Sequence, residues 1–177
     1  MFIGIKQLEQ GRLYFDEKFP PGTVDFRTRD FRQAAVLEVE GSADLVGVEI
    51  HLEGRLRTQL DMNCARCLEP LALKVAASFD LVYRPVNTIR RDDELSLGVE
   101  DTDVGFYTGQ GLFLADVLAE QVLLALPMKV LCRAECKGLC PSCGANLNRD
   151  RCRCGPRPAD PRLAPLAEWA VSKKQSH

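Results

Sequence analysis

The chain has 177 residues, 46% of them hydrophobic, with a net charge of −2 and a pI of about 5.8. That length allows one ordinary domain, or one domain with a small appendage, and the apolar content excludes a disordered chain. The charge excludes a molecule whose whole surface is built for nucleic acid.

In chain order, Leu13, Phe15, Phe19, Val24 and Phe26 predict short extended pieces around the turn Pro20-Pro21-Gly22. From Ala35 the pattern sharpens, as Leu37, Val39, Gly41, Ala43 and Leu45 alternate with Glu38, Glu40, Ser42 and Asp44. In the next run Val48, Ile50, Leu52, Leu56, Leu60 and Met62 share one parity, and Glu49, Glu53, Arg55, Arg57 and Asp61 share the other. A third run places Leu71, Leu73, Val75, Ala77, Phe79, Leu81 and Tyr83 inward. Period two over three successive runs with short connections predicts an antiparallel meander with one wet face. Residues 91–103 are acidic and read as a solvated loop. Gly105 to Gly111 follow as a short strand or turn. Leu114, Val117, Leu118, Val122 and Ala125 then keep helical spacing until Pro127, which predicts a helix covering the apolar face of the sheet. Asp160-Pro161 is an N-cap followed by Pro, and predicts a last short helix from Pro161 to about Val171.

The start of the chain has neither a basic n-region nor an apolar h-region. The most apolar stretch, Leu112 to Met128, is broken by Asp116, Glu120 and Gln121. The expected location is therefore the cytoplasm, with no membrane association. Thiols stay reduced there, and clustered cysteines serve metals more often than disulfides.

Eight cysteines fall in four close pairs: Cys64-x2-Cys67, Cys132-x3-Cys136, Cys140-x2-Cys143 and Cys152-x-Cys154. Four thiolates make the closed tetrahedral donor set of a structural Zn²⁺, so the chain is expected to hold one or two zinc ions. Cys140, Cys143, Cys152 and Cys154 form the first expected site, because Gly144 after the second cysteine lets the turn point amide groups back at the sulfurs. Cys64, Cys67, Cys132 and Cys136 remain for a second, which would tie the exit of the long helix to the tip of a hairpin. Two other arrangements stay open: a single zinc, or an exchange that groups Cys136 with Cys140 and Cys143. The stretch from Cys132 to Pro158 is too poor in apolar residues to fold without such help.

From Lys129 to Arg157 there are seven basic residues against Glu135 and Asp150. Arg149, Arg151 and Arg153 interleave with the last cysteines. They either balance the negative charge of a Cys₄ zinc site or contact RNA. The sequence has no Gly-rich phosphate loop, no nucleophile–His–acid set and no paired-carboxylate motif, and it has only two His. No catalytic residue is nominated, and neither an enzyme nor a small-molecule substrate is expected.

The segments Cys64-Ala-Arg-Cys67-Leu-Glu-Pro70, Leu126-Pro-Met128, Cys136-Lys-Gly-Leu-Cys140-Pro-Ser-Cys143-Gly-Ala-Asn146-Leu-Asn148, Cys152-Arg-Cys154 and Asp160-Pro-Arg-Leu163 resemble the bacterial YceD-like family. Its members are called large ribosomal RNA subunit accumulation proteins. The resemblance runs from the central strands to the last helix and is looser over residues 1–35. It implies a role in 23S ribosomal RNA accumulation and ribosome assembly, with ribosomal RNA or a large-subunit ribosomal protein as partner. It supplies no catalytic residues.

The expectation is thus an α+β protein: an antiparallel β-sheet (meander) with a covering helix over residues 1–128, and a zinc-stapled Cys-rich segment with a C-terminal helix over residues 129–177. Its expected function is non-catalytic support of large-subunit ribosomal RNA accumulation. The alternatives are a thiol/zinc redox switch and, behind it, an RNA-processing nuclease.

Overall fold

The computed structural model describes residues 1–86, 104–155 and Arg162. The acidic stretch and the expected C-terminal helix lie outside the described residues. The chain divides into two compact units, one of Met1–Ala65 with Glu69–Cys132, the other of Arg66–Leu68 with the chain from Arg133 on.

In the first unit the elements are β1 (Phe2–Gly4), α1 (Ile5–Leu8), β2 (Leu13–Phe19), β3 (Phe31–Gln33), β4 (Leu37–Val46), β5 (Glu49–Asn63), β6 (Pro70–Pro85), β7 (Val104–Tyr107), β8 (Gly111–Phe113) and α2 (Leu114–Leu124). The main sheet runs β2-β4-β5-β6-β7, with β3 also paired to β5; β1 and β8 form a separate two-stranded ribbon. The fold is mostly β, and α2, with its eleven residues, is the longest helix among the described residues.

The three alternating runs are β4, β5 and β6, joined antiparallel along their lengths. The sheet as a whole is mixed, which corrects the antiparallel expectation. β7 lies parallel to β6, with Val82 opposite Val104 and Pro85 opposite Tyr107. Side-chain alternation carries no information on strand direction. Residues 86–103 are long enough for the crossover a parallel neighbour needs, and a hairpin would not need them.

The inward parity holds with one exception. Ile50, Leu52, Leu56 and Leu60 of β5 are buried, as are Leu37, Val39 and Ala43 of β4 and Val75, Phe79 and Tyr83 of β6. Val48 is 57% exposed, because it sits with Gly47 in the tight turn between β4 and β5 instead of in the strand. Leu114, Val117, Leu118 and Val122 of α2 share one hydrophobic cluster with these sheet residues, so the helix does bury its apolar stripe in the sheet's core. The outward parity is charged. Lys18 lies 3.3 Å from Glu38, which Arg57 also binds, and Arg55 lies 3.5 Å from Glu40. The Arg57 hydrogen bond, followed by that from Lys18, holds the Glu38 carboxyl below the usual range.

A row of four residues sets two aromatic rings against two glycines. Phe15, Gly41, Gly54 and Phe79 are in register across β2, β4, β5 and β6. A Cβ on Gly41 would collide with the Glu53 carbonyl and stand 2.8 Å from the Phe15 ring; one on Gly54 would stand 2.7 Å from the Phe79 ring. The two rings occupy the space the glycines leave, so the row is filled without a hole in the core.

The second unit has no helix or strand among its described residues beyond an isolated bridge between Leu139 and Asn146. Its backbone is held by single hydrogen bonds. Leu139 N–H donates to the Arg66 carbonyl at 3.2 Å and Leu147 N–H to the Gly138 carbonyl at 2.9 Å. The Arg66 guanidinium donates to the Cys136 carbonyl at 2.9 Å. No described helix is long and apolar enough to cross a membrane.

Candidate metal centres

The eight cysteines gather in two groups of four, and no disulfide joins any of them. Within each group the sulfurs all lie within 4.8 Å of one another. One group is Cys64, Cys67, Cys132 and Cys136; the other is Cys140, Cys143, Cys152 and Cys154. The exchange of Cys136 into the second group is not what the geometry brings together. A tetrahedron with Zn–S near 2.3 Å has sulfurs about 3.8 Å apart, so each group has the size a single ion needs. Four soft donors with no carboxylate or imidazole suit zinc in a closed structural site.

Both Cys-x2-Cys turns are built alike. In the first, Cys64 N–H donates to the Glu69 carbonyl at 2.8 Å, and Leu68 takes φ 59°. In the second, Cys140 N–H donates to the Ala145 carbonyl at 2.8 Å, and Gly144 takes φ 73°. In each, the residue after the second cysteine adopts the left-handed conformation that reverses the chain. The tip then presents amide groups to sulfur. Ser142 N–H lies 3.4 Å from Cys140 Sγ, Cys154 N–H 3.2 Å from Cys152 Sγ, and Cys132 N–H 3.4 Å from Cys64 Sγ. Such N–H···S contacts offset thiolate charge and hold each sulfur in place.

Electrostatics in the Cys140 group show what it needs. The sulfur of Cys152 lies 3.3 Å from that of Cys140 and 3.4 Å from that of Cys143. Backbone N–H groups of Cys143 and Ser142, then the Cys152 sulfur, pull the Cys140 thiol down to about 6. The sulfurs of Cys152 and Cys143 push the Cys154 thiol up to about 12. A divalent cation among these sulfurs would favour the thiolate form that metal ligation needs.

Asn148 is a residue that the sequence did not single out by role. Its Oδ1 accepts from Lys137 N–H at 2.9 Å and its Nδ2 donates to Cys136 Sγ at 3.3 Å. Asn146 Oδ1 in turn accepts from Asn148 N–H at 3.0 Å. The Asn-x-Asn spacing four residues before Cys152 was the available signal: two short amides in a turn next to a cysteine knuckle are well suited to bind backbone and sulfur.

Arg149, Arg151 and Arg153 are exposed, in one segment with the half-buried Cys152 and the exposed Cys154. Arg133 and Lys137 of the same unit are also exposed.

These features define a class: a mostly β protein with two four-cysteine groups, each able to hold a metal ion and each including one Cys-x2-Cys turn. The family model described as "Large ribosomal RNA subunit accumulation protein YceD" matches residues 52–169, and the chain belongs to that family. An uncharacterized protein of Mycobacterium tuberculosis (strain ATCC 25618 / H37Rv) is 27% identical over 155 residues, covering 86% of this chain and 71% of that protein. The "Large ribosomal RNA subunit accumulation protein YCED homolog 1, chloroplastic" of Zea mays is 28% identical over 131 residues, covering 61% of this chain and 45% of that protein. Its Arabidopsis thaliana counterpart is 26% identical over 161 residues, covering 77% and 50%. Membership implies a role in large-subunit ribosomal RNA accumulation. No solved structure matches the chain.

Proposed function

We propose that the protein is a non-catalytic, cytoplasmic factor of ribosome biogenesis that supports 23S ribosomal RNA accumulation by binding ribosomal RNA. In this reading Cys140, Cys143, Cys152 and Cys154 hold one zinc ion and Cys64, Cys67, Cys132 and Cys136 hold a second. Zinc supplies the rigidity that a segment without regular elements lacks, and Arg149, Arg151 and Arg153 meet the phosphates. The observation that carries the reading is the interleaving of three exposed arginines with Cys152 and Cys154. A metal-fixed platform loses less conformational freedom on binding, and exposed guanidiniums suit phosphate oxygens.

The test has two parts. Elemental analysis of protein purified under reducing conditions should give two zinc ions per chain. The triple variant Arg149→Ser, Arg151→Ser, Arg153→Ser should keep both, while its affinity for large-subunit RNA falls and the salt dependence of binding flattens. Loss of zinc in that variant would mean the arginines only balance thiolate charge. Unchanged RNA binding, with crosslinks from this segment to a ribosomal protein, would move the contact to protein.

A second reading, a thiol/zinc redox switch, is favoured by the exposure of Cys143 and Cys154. It predicts reversible zinc release by mild oxidant, with loss of RNA binding.

A further inference from the structure

The first unit carries an apolar surface that neither its core nor the cysteine groups use. Phe2 and Phe113 are paired across the β1–β8 ribbon, and their rings stand 4.9 Å apart. The ribbon turns Ile3 and Leu112 into the core and leaves Phe2 42% and Phe113 61% exposed. Phe106 of β7, 51% exposed, and Leu123 of α2, 40% exposed, line the same cleft, which has a volume of about 540 Å³. Four large apolar side chains exposed around one concavity are more than the scattered exposure of an ordinary surface, and aromatic side chains are the usual anchors of protein contacts.

Asp25, Asp116 and Glu120 also line the cleft, and Arg27 is the one cation among the described lining residues. Arg27 already lies 3.7 Å from Asp116. The wall is therefore acidic. RNA and anionic lipid are repelled by it, and a second copy placed face to face would set acid against acid.

We propose that the cleft between α2 and the β1–β8 ribbon docks a basic peptide segment of a partner protein, one that places aromatic or aliphatic side chains beside Lys or Arg. The apolar side chains would cover Phe106, Phe113 and Leu123, and the cations would meet Asp116 and Glu120. The cleft belongs to the first unit and the arginine segment to the second.

The test uses the full chain in cells, with a benzophenone analogue of phenylalanine placed at Phe113 and, in a second strain, at Phe106. Tyr14, 74% exposed on β2, is the control position. The expected crosslink joins the cleft to a net-positive peptide of another protein, at an apolar residue. That peptide, synthesised with a fluorescent label, should bind the purified zinc-loaded chain. Its affinity should fall at least tenfold in the pair Asp116→Lys, Glu120→Lys and in Phe113→Ser, and hold in Asp116→Glu. Unchanged melting temperature and zinc content exclude misfolding. Crosslinks to RNA, to a second copy or to nothing above the Tyr14 control would overturn the proposal. So would a bound peptide whose affinity ignores charge reversal.

Discussion

The turns Cys64–Cys67 and Cys140–Cys143 share one backbone design and differ in what surrounds them. Each closes with the N–H of its first cysteine on the carbonyl five residues later, at 2.8 Å in both. The first is carried on the ends of β5 and β6, whose pairing runs to Asn63 and Pro70. Its sulfurs are shielded, with Cys64 fully buried and Cys67 4% exposed. Among the described residues the second has only an isolated bridge beside it, and Cys143 and Cys154 are exposed. The same knuckle is thus built once onto paired strand ends and once where a bound metal would supply the scaffold. The two should differ in what metal does for stability, in accessibility and in tolerance to substitution.

The largest expected effect separates them by stability. Cys64→Ser should remove one zinc equivalent and destabilise the sheet unit on the order of 4 kcal/mol, because a metal and its buried donors are lost together. Cys143→Ser should also remove one equivalent yet leave the melting of the sheet unit within about 1 kcal/mol of the parent. Calorimetry with zinc analysis distinguishes them. Equal destabilisation by both variants would break the comparison.

Accessibility comes next. Under a chelator with iodoacetamide present, the exposed Cys143 should be labelled about tenfold faster than the buried Cys67, since alkylation needs access to the sulfur. Peptide mapping over time reads this directly. Simultaneous labelling of all eight would mean that the two metals leave together.

The contrast between the knuckles was only partly legible in the sequence. The pairing of Cys64 and Cys67 with Cys132 and Cys136 could be reached by counting ligands and by reading a hairpin whose tip falls at residues 63–70. The inward faces of β4, β5 and β6 could be read from period two, and α2 from helical spacing ended by Pro127. The parallel β7 could not, because alternation has no direction. The β1–β8 ribbon was missed for a different reason: three-residue strands have no period to detect, and their pairing joins residues over a hundred positions apart. Burial of the cysteines, which is what separates the two knuckles, depends on that tertiary arrangement, and no local pattern encodes it.

A smaller effect tests how sulfur is supported. Cys140 Sγ is approached by the Ser142 backbone N–H, which no side-chain truncation removes, whereas Cys136 Sγ receives a side-chain donor from Asn148. Asn148→Ala should cost about 1–2 kcal/mol through the lost hydrogen bonds and weaken metal at the Cys136 group about tenfold or more. Asn148→Asp keeps the acceptor for Lys137 N–H, loses the donor to sulfur and adds negative charge beside thiolates. It should spare much of the stability and weaken metal at least as much. Competition with a colorimetric chelator measures both. Equal metal affinity in the two variants and the parent would leave Asn148 as a turn residue only.

The smallest effect lies at the matched turn positions. Gly144 and Leu68 both hold left-handed backbone, with φ 73° and 59°. Glycine takes that conformation without cost, while an L-residue with a Cβ gives up about 1 kcal/mol there. Nothing lies within 4 Å of a Cβ added to Gly144, so Gly144→Ala meets no steric clash and should cost about 1 kcal/mol from conformation alone. Leu68 already bears that cost, and its side chain is 63% exposed. Leu68→Asn should therefore stabilise the first knuckle by about 0.5 kcal/mol, because Asn tolerates the left-handed region and loses little packing. Leu68→Gly gains the same relief but returns most of it as extra entropy of the unfolded chain. Ranked melting temperatures, Asn above Gly and Gly near the parent, would show that the two turns obey one backbone rule. A fall in stability for both Leu68 variants would instead mean that the exposed leucine makes contacts worth more than its strain.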